Sequence, residues 1–294
     1  MKLEREQVLP LITAALKEDV GSRDLTSGAL IGRTESAEAE LVLRQEGVLA
    51  GLEVAEWAFG AANASIRFRP AARDGQRLYP NKVLAYLEGS ARGILAGERV
   101  ALNLLCHLSG IATLTRAFVE KVRGTGAKIF DTRKTTPNLR LLERYAVSAG
   151  GGVNHRISLA SQILIKENHL RLVARSRPVP STIEEAVRKA RASSQKGAIV
   201  EVEVTNLQEF RQGLSARADV ILLDNMRLTE IQESVRLRNA LARSKRGVRV
   251  LLEVSGGITL ETVRAVAECG VDRISVGALT HSAPALDISL EVIE

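Results

Sequence analysis

Apolar residues recur at helical spacing near the start of the chain: Leu9, Ile12, Leu16 and Val20 predict an amphipathic helix ending at Gly21. The period then changes to two. Ala37, Leu41 and Leu43 against Glu38, Glu40 and Arg44 predict a half-buried strand, and 65–69 predicts another. Asp74-Gly75 is a turn signal, followed by a third strand at 83–87. A long helix is expected over 97–122, with a stripe of Leu104, Leu108, Ile111, Thr115, Phe118 and Val122 close to heptad spacing. Such a stripe serves either a core or a packing surface between subunits. Beyond it, short apolar strands at 128–130, 163–165, 199–204, 220–223, 250–254 and 273–276 alternate with amphipathic segments at 139–149, 182–192, 207–214, 228–242 and 260–268. Alternation of this kind means parallel strands joined by helical crossovers. Six strands can form a doubly wound sheet or a barrel.

The ends of these strands carry the chemistry. They run into Asp131-Thr132-Arg133-Lys134, Lys166-Glu167-Asn168-His169, Glu203, Asp224-Asn225, Ser255-Gly256-Gly257 and Val276-Gly277-Ala278. An open sheet concentrates its ligands at one switch point, whereas polar residues spread over all six strand ends favour a barrel mouth. Ser255-Gly256-Gly257, read with a helix starting near Thr259, offers backbone N–H groups to a phosphate; the alternative is a tight turn without a ligand. Glu203 and Asp224 can reach one point, a pairing suited to Mg²⁺ together with substrate oxygens. Glu201 and Glu253 share the inward side of their strands, and all four acids could instead neutralise buried cations. Arg133, Lys134, His155, Arg156 and Lys166 gather near the same mouth, with Arg99 early in the long helix. Arginine forks suit planar carboxylates and lysines suit phosphates, so the site fits a polycarboxylate beside a phosphorylated, Mg²⁺-bound substrate.

Composition narrows the classes. Hydrophobic residues make up 45% and charged residues 26% of 294 residues, which excludes a disordered chain. The first ten residues, MKLEREQVLP, hold no apolar h-region, and about 18 apolar residues nowhere run together, so neither a signal peptide nor a membrane helix is expected. Cys106 and Cys269 lie far apart, so no disulfide scaffold is expected, and the chain reads as a soluble cytosolic protein. The net charge is +7, carried by arginine, since only ten of 41 basic residues are lysine. Aromatics at 3% leave little for base stacking. The run Arg236, Arg238, Arg243, Lys245, Arg246, Arg249 reads as a solvated helix face and end, and no nucleic-acid partner is expected. The histidines and cysteines lack zinc spacing, and no G-x-S-x-G, G-x-x-x-x-G-K-[ST] or strand-borne G-x-G-x-x-G occurs.

Stretches spanning nearly the whole chain resemble quinolinate phosphoribosyltransferase, also called carboxylating nicotinate-nucleotide pyrophosphorylase. They are EDVGSRDLTS (18–27), GERVALNLLCHLSGIAT (97–113), FDTRKTTPNLRLLERYAVSAGGGVNHR (130–156), LIKENHL (164–170), EVEVTN (201–206), ILLDNM (221–226), LEVSGGIT (252–259) and ISVGALTHSAPALDIS (274–289). The resemblance implies an α/β protein: an N-terminal α/β sandwich domain over 1–110, an incomplete (β/α) barrel over 111–278, and a tail, 279–294, returning to the first domain. It implies transfer of phosphoribosyl from 5-phosphoribosyl-1-pyrophosphate to quinolinate, giving nicotinate mononucleotide, pyrophosphate and CO₂. By motif, Arg133, His155 and Arg156 would hold the quinolinate carboxylates, with Thr132 beside them, and Arg99 would reach in from the other subunit of a homodimer that could build to a hexamer. Lys134 and Lys166 would contact the pyrophosphate, Glu203 and Asp224 would serve Mg²⁺ and the ribose hydroxyls, and Ser255, Gly256, Gly257, Val276, Gly277 and Ala278 would cradle the 5′-phosphate. Lys134, Glu203 and Asp224 are the expected catalytic residues. Glu167 stands where many members have Asp, and 227–248 is somewhat long. The same fold in a molybdenum-transport-associated paralogue is the alternative, against which Asn154-His155-Arg156 and Lys166-Glu167-Asn168-His169 argue. A nucleic-acid-binding protein or a catalytically silent dimeric scaffold would be readings from other classes.

Overall fold

The structure is a computed structural model that describes residues 1–175, 183–194, 197–244 and 250–293. Thr182, Lys245, Arg246 and Arg249, named above, lie outside the described residues, as does Glu294 at the end of the expected tail. The elements are α1 (Arg5–Val20), α2 (Leu25–Leu30), β1 (Ser36–Leu43), β2 (Gly47–Val48), α3 (Leu52–Ala62), β3 (Arg67–Pro70), β4 (Arg77–Leu78), β5 (Val83–Ser90), α4 (Ala91–Lys121), β6 (Lys128–Phe130) and α5 (Arg140–Ala149). They continue with β7 (Ile163–Ile165), α6 (Glu167–Arg175), α7 (Ile183–Ser193), β8 (Val200–Val204), α8 (Leu207–Ser215), β9 (Val220–Asp224), α9 (Leu228–Ser244), β10 (Leu251–Ser255), α10 (Val263–Glu268), β11 (Arg273–Ser275), α11 (Ala278–His281) and β12 (Ile288–Ile293).

Two compact units result. The first holds Met1–Arg116, Lys134–Gly152 and Ala278–Glu294, and the second Ala117–Arg133 and Val153–Gly277. Residues 134–152, placed above in the barrel domain, thus group with the first unit. Its sheet runs β12-β1-β5-β3, antiparallel throughout. Leu41 pairs with Leu290 on one side and Ala85 on the other, and a register shift after Leu41 lets consecutive Leu41, Val42 and Leu43 all be buried. Arg44 closes the β1–β12 pair by donating Nε to Ser289 Oγ at 2.8 Å and pairing with Glu291.

Helix α4 begins at Ala91, six residues before the expected start, directly after β5. Its buried stripe is Leu105, Leu108, Ile111, Ala112, Thr115 and Phe118, with buried Val122 just past its end, while Leu104 is only half-buried. No Asp, Glu, Lys or Arg stands between Arg99 and Arg116. Contrary to the expectation from the sequence, α4 is therefore long and apolar enough to cross a membrane by length and composition, though half of its most apolar stretch is buried. Ser109 is fully buried and binds Ala50 through both N–H and C=O, which marks this face as core.

The second unit is a parallel sheet ordered β6-β11-β10-β9-β8-β7. β6 and β7 are its two edges, and a parallel bridge from Phe130 to Val153 extends the β6 side. Val202, Val204, Ile221, Leu223, Leu252 and Ile274 are buried at 2% exposure or less, as expected where helices cover the outside of a parallel sheet. Glu201 on β8 and Glu253 on β10, two strands apart, both come within 3.4 Å of one imidazole nitrogen of His155. A flat sheet would hold those strands about 9.5 Å apart, so their convergence on one point reflects inward curvature. This is an incomplete (β/α) barrel.

Candidate active site

The C-terminal ends of the six parallel strands bring together, within the second unit, Thr132, Arg133, His155, Arg156, Lys166, Glu203, Asp224, Ser255, Gly256, Gly257, Val276 and Gly277. Register places Ser255 opposite Asp224, and Val276 N–H bonds to Phe130 C=O at 3.0 Å. Lys134 and Ala278, the next residues in sequence, group with the first unit, as does Arg99 on α4. Arg99 is 60% exposed and only loosely approaches Glu98, at 3.9 Å.

Alternation along β8 grades the acids. Glu201 is fully buried, whereas Glu203, two residues on and on the same face, sits at the rim. There Glu203 Oε2 accepts from Lys166 Nζ at 2.6 Å, which orients the lysine. Asp224 Oδ2 accepts from Asn225 Nδ2 at 3.0 Å, and Asn225 N–H bonds to Ser255 C=O. Two rim carboxylates fit the oxygen preference of Mg²⁺ but make an incomplete shell that substrate oxygens and water would fill.

Arg133 and Arg156 face each other electrostatically. Burial lowers the pKa of Arg156, and the positive charge of Arg133 lowers it further. Arg156 is tied down by Nη1 donating to Gln162 C=O at 3.0 Å. The charge of Glu201 offsets these effects in part.

His155 turns inward. Its Nε2 lies 3.2 Å from Glu253 and 3.4 Å from Glu201, and its Nδ1 accepts the Arg156 backbone N–H at 2.7 Å. The side chain is 8% exposed. Both ring nitrogens are thus engaged within the protein, in contrast to the role of carboxylate ligand that the resemblance implied. Burial disfavours the imidazolium, but hydrogen bonds and charge from Glu201 and Glu253 outweigh it and push the pKa up to about 9. Burial raises that of Glu201. Sequence reasoning placed both glutamates inside and proposed that they neutralise cations; it did not identify His155 as the partner. Nor did it find the supports around them: Gln162 Nε2 donates to Glu201 at 2.6 Å, the Ser275 hydroxyl donates to Glu253, and Arg273 lies 3.7 Å from Glu253 and over the Phe130 ring. Asp131, named above at its strand end but given no role, is fully buried; it accepts from Asn154 Nδ2 at 2.7 Å and His155 N–H at 2.6 Å, fixing the Asn-His-Arg segment.

The glycine turn differs from expectation in one respect. Helix α10 starts at Val263, because Thr259 and Thr262 bond to each other and form a turn first. The expected helix N-terminus is thus displaced from Thr259, and does not adjoin the glycine turn. Gly256 has φ +96°, and a Cβ there would lie 2.2 Å from Asn225 Oδ1, so only glycine fits without displacement. The basic run on α9 is engaged internally in part: Arg238 is buried and paired with Asp272 at 2.7 Å, and Arg236 pairs with Glu233 through two nitrogens.

Comparison with known proteins agrees along the whole length. Residues 24–109 match the family model for the quinolinate phosphoribosyl transferase N-terminal domain, and 111–291 match that for its C-terminal domain. A probable carboxylating nicotinate-nucleotide pyrophosphorylase of Bacillus subtilis is 41% identical over 97% of this chain and 93% of its own. The carboxylating nicotinate-nucleotide pyrophosphorylase of Mycobacterium leprae is 42% identical over 96% of this chain and 95% of its own. The crystal structure of NadC from Streptococcus pyogenes covers 100% of both chains at 38% identity and a TM-score of 0.90. The molybdenum-associated alternative finds no support among these relatives. The chain belongs to the quinolinate phosphoribosyl transferase family.

Proposed function

We propose that this protein transfers the phosphoribosyl group of 5-phosphoribosyl-1-pyrophosphate to quinolinate with loss of CO₂, forming nicotinate mononucleotide and pyrophosphate for NAD biosynthesis. The observation that carries the reading is the gathering of Arg133 and Arg156 at strand ends of one sheet whose rim also holds Lys166, Glu203 and Asp224. Guanidinium forks bind carboxylates bidentately, and two of them near one mouth suit a planar dicarboxylate. Asp131 and His155 hold the backbone of the Asn-His-Arg segment, so the forks are fixed before substrate arrives.

Departure of pyrophosphate leaves an oxocarbenium-like ribose carbon, which the rim carboxylates Glu203 and Asp224 stabilise while Lys166 and Lys134 offset charge on the leaving group. Mg²⁺, held by Glu203 and Asp224 with substrate oxygens and water, would supply further neutralisation of the pyrophosphate. The pyridine nitrogen attacks the ribose carbon and becomes cationic. Its positive charge then stabilises the electron pair left on the adjacent ring carbon as that carbon's carboxylate departs as CO₂, and a proton from solvent completes the product at that carbon. Little proton transfer is asked of the protein. The 5′-phosphate sits on the backbone of Ser255–Gly257 and Val276–Ala278. The active form is a cytoplasmic homodimer in which Arg99 serves the partner's site.

The test mixes purified protein, Mg²⁺, phosphoribosyl pyrophosphate and quinolinate and follows CO₂ and nicotinate mononucleotide, with nicotinate in place of quinolinate as control. Product from quinolinate alone is expected, and Arg133→Ala and Lys134→Ala should abolish it while leaving the fold intact. Binding of both substrates without product, or near-normal turnover in either variant, would overturn the assignment.

A further inference from the structure

The loop that carries Lys134 is held from within the first unit by three side chains, one on each of three consecutive residues. The Thr280 hydroxyl on α11 donates to the Lys134 backbone carbonyl at 2.6 Å. The Arg140 guanidinium, opening α5, donates Nε to Thr135 Oγ1 at 3.0 Å. Glu143, one turn further along α5, accepts the Thr136 backbone N–H on Oε2 at 3.1 Å, and its Oε1 meets His107 Nε2 of α4 at 3.0 Å. Glu143 is fully buried and Thr280 is 3% exposed, whereas Lys134 is exposed.

Burying a carboxylate costs several kcal/mol of hydration unless hydrogen bonds replace it, so a buried glutamate aimed at a loop N–H fixes that loop firmly. A lysine has four rotatable bonds, and the backbone beneath it sets the point from which its ammonium reaches out. Thr280 lies two residues past Ala278, where the phosphate-cradling turn ends, so the same stretch of sequence that follows the cradle also grips Lys134. None of these three supports was among the candidate residues read from the sequence.

We propose that Thr280 and Glu143 are positioning residues for Lys134, acting through the backbone of residues 134 and 136. This rests on the reading of Lys134 as a residue of the transfer step. Thr280→Val keeps the shape and removes the donor; Thr280→Ser restores it.

The test is steady-state kinetics of the full-length protein with quinolinate and phosphoribosyl pyrophosphate, beside Lys134→Ala and thermal unfolding of every variant. Misplacement of a catalytic group by about 1 Å can cost about 100-fold, so Thr280→Val should lower kcat by about 10- to 100-fold with the quinolinate KM within about twofold. Thr280→Ser should recover to within about threefold of the parent, since the hydroxyl–carbonyl bond returns. Glu143→Gln, which keeps one acceptor for the Thr136 N–H, should fall less than Glu143→Leu. Normal kcat in Thr280→Val with inactive Lys134→Ala overturns the inference and leaves the function standing. A loss that Ser does not restore, or that follows a lowered Tm, also overturns it by reducing Thr280 to a structural residue. Full activity in Lys134→Ala would remove instead the reading on which it rests.

Discussion

His155 is the residue whose chemistry the fold alters most. Glu201 and Glu253 meet its Nε2 and the Arg156 backbone N–H meets its Nδ1, and against the cost of burial the two carboxylates raise its pKa to about 9. A histidine whose folded pKa exceeds its unfolded value stabilises fully below the unfolded pKa, and that contribution disappears as pH rises through the folded value. The window is therefore from 6.5 to about 9. At about 1.4 kcal/mol per pH unit, the loss amounts to about 3 kcal/mol. A second ring proton must turn the Arg156 N–H away from Nδ1, a single neutral contact against two buried carboxylates. Urea unfolding at pH 6 and pH 9.5 should show the parent losing more stability than His155→Gln. Equal losses in both would mean that the ring is held neutral. The same residue shows why side-chain roles escape sequence reading: a histidine at a strand end looks alike whether it faces substrate or core, and only the curvature that brings β8 and β10 together decides.

At the scale of elements, all six barrel strands were legible, because short β-branched runs ending at a charge or glycine leave little else for them to be. Boundaries set by contacts between side chains and backbone were not. After the turn at Asp74-Gly75 the sequence pattern offers only the strand at 83–87, yet β4 precedes it, paired to β2 over Gly47 and Val48, and β5 runs on to Ser90. Helix α10 lost its expected first turn to the Thr259–Thr262 pair. Contacts distant in sequence were invisible as well, and α4 shows one with a measurable consequence. A Cβ on Gly110 would sit 2.1 Å from the Pro284 carbonyl oxygen, a backbone atom that cannot swing aside. Overpacking of this kind costs about 1–3 kcal/mol, so Gly110→Ala should lower Tm despite alanine's better helix propensity. Gly60 on α3 has nothing within 4 Å of its would-be Cβ, and Gly60→Ala should gain up to about 1 kcal/mol. Opposite signs in differential scanning calorimetry are expected; a stabilised Gly110→Ala would mean that α4 and residue 284 do not approach this closely.

For the whole molecule, the decisive question is whether a single protomer forms a complete site. Arg99 is mostly exposed, and its nearest carboxylate, Glu98, is a sequence neighbour at 3.9 Å, too far and too hydrated to hold it. Lys166, by contrast, is already fixed on Glu203 of its own protomer. If Arg99 serves the partner, Arg99→Ala and Lys166→Ala break different halves of a shared site. In a twofold-symmetric dimer mixing one protomer of each, one site receives both substitutions and the other neither. Random reassociation makes half the dimers mixed, so about a quarter of all sites should be intact. Arg99→Ala alone should raise the quinolinate KM, so the assay belongs at quinolinate concentrations where both parents are nearly silent. Unfolding and refolding the two variants together should then recover about a quarter of parental activity with the parental KM, while each refolded alone recovers none. Activity that stays at the sum of the separate variants would place Arg99 and Lys166 in the service of the same protomer, and the exposed Arg99 would need another partner.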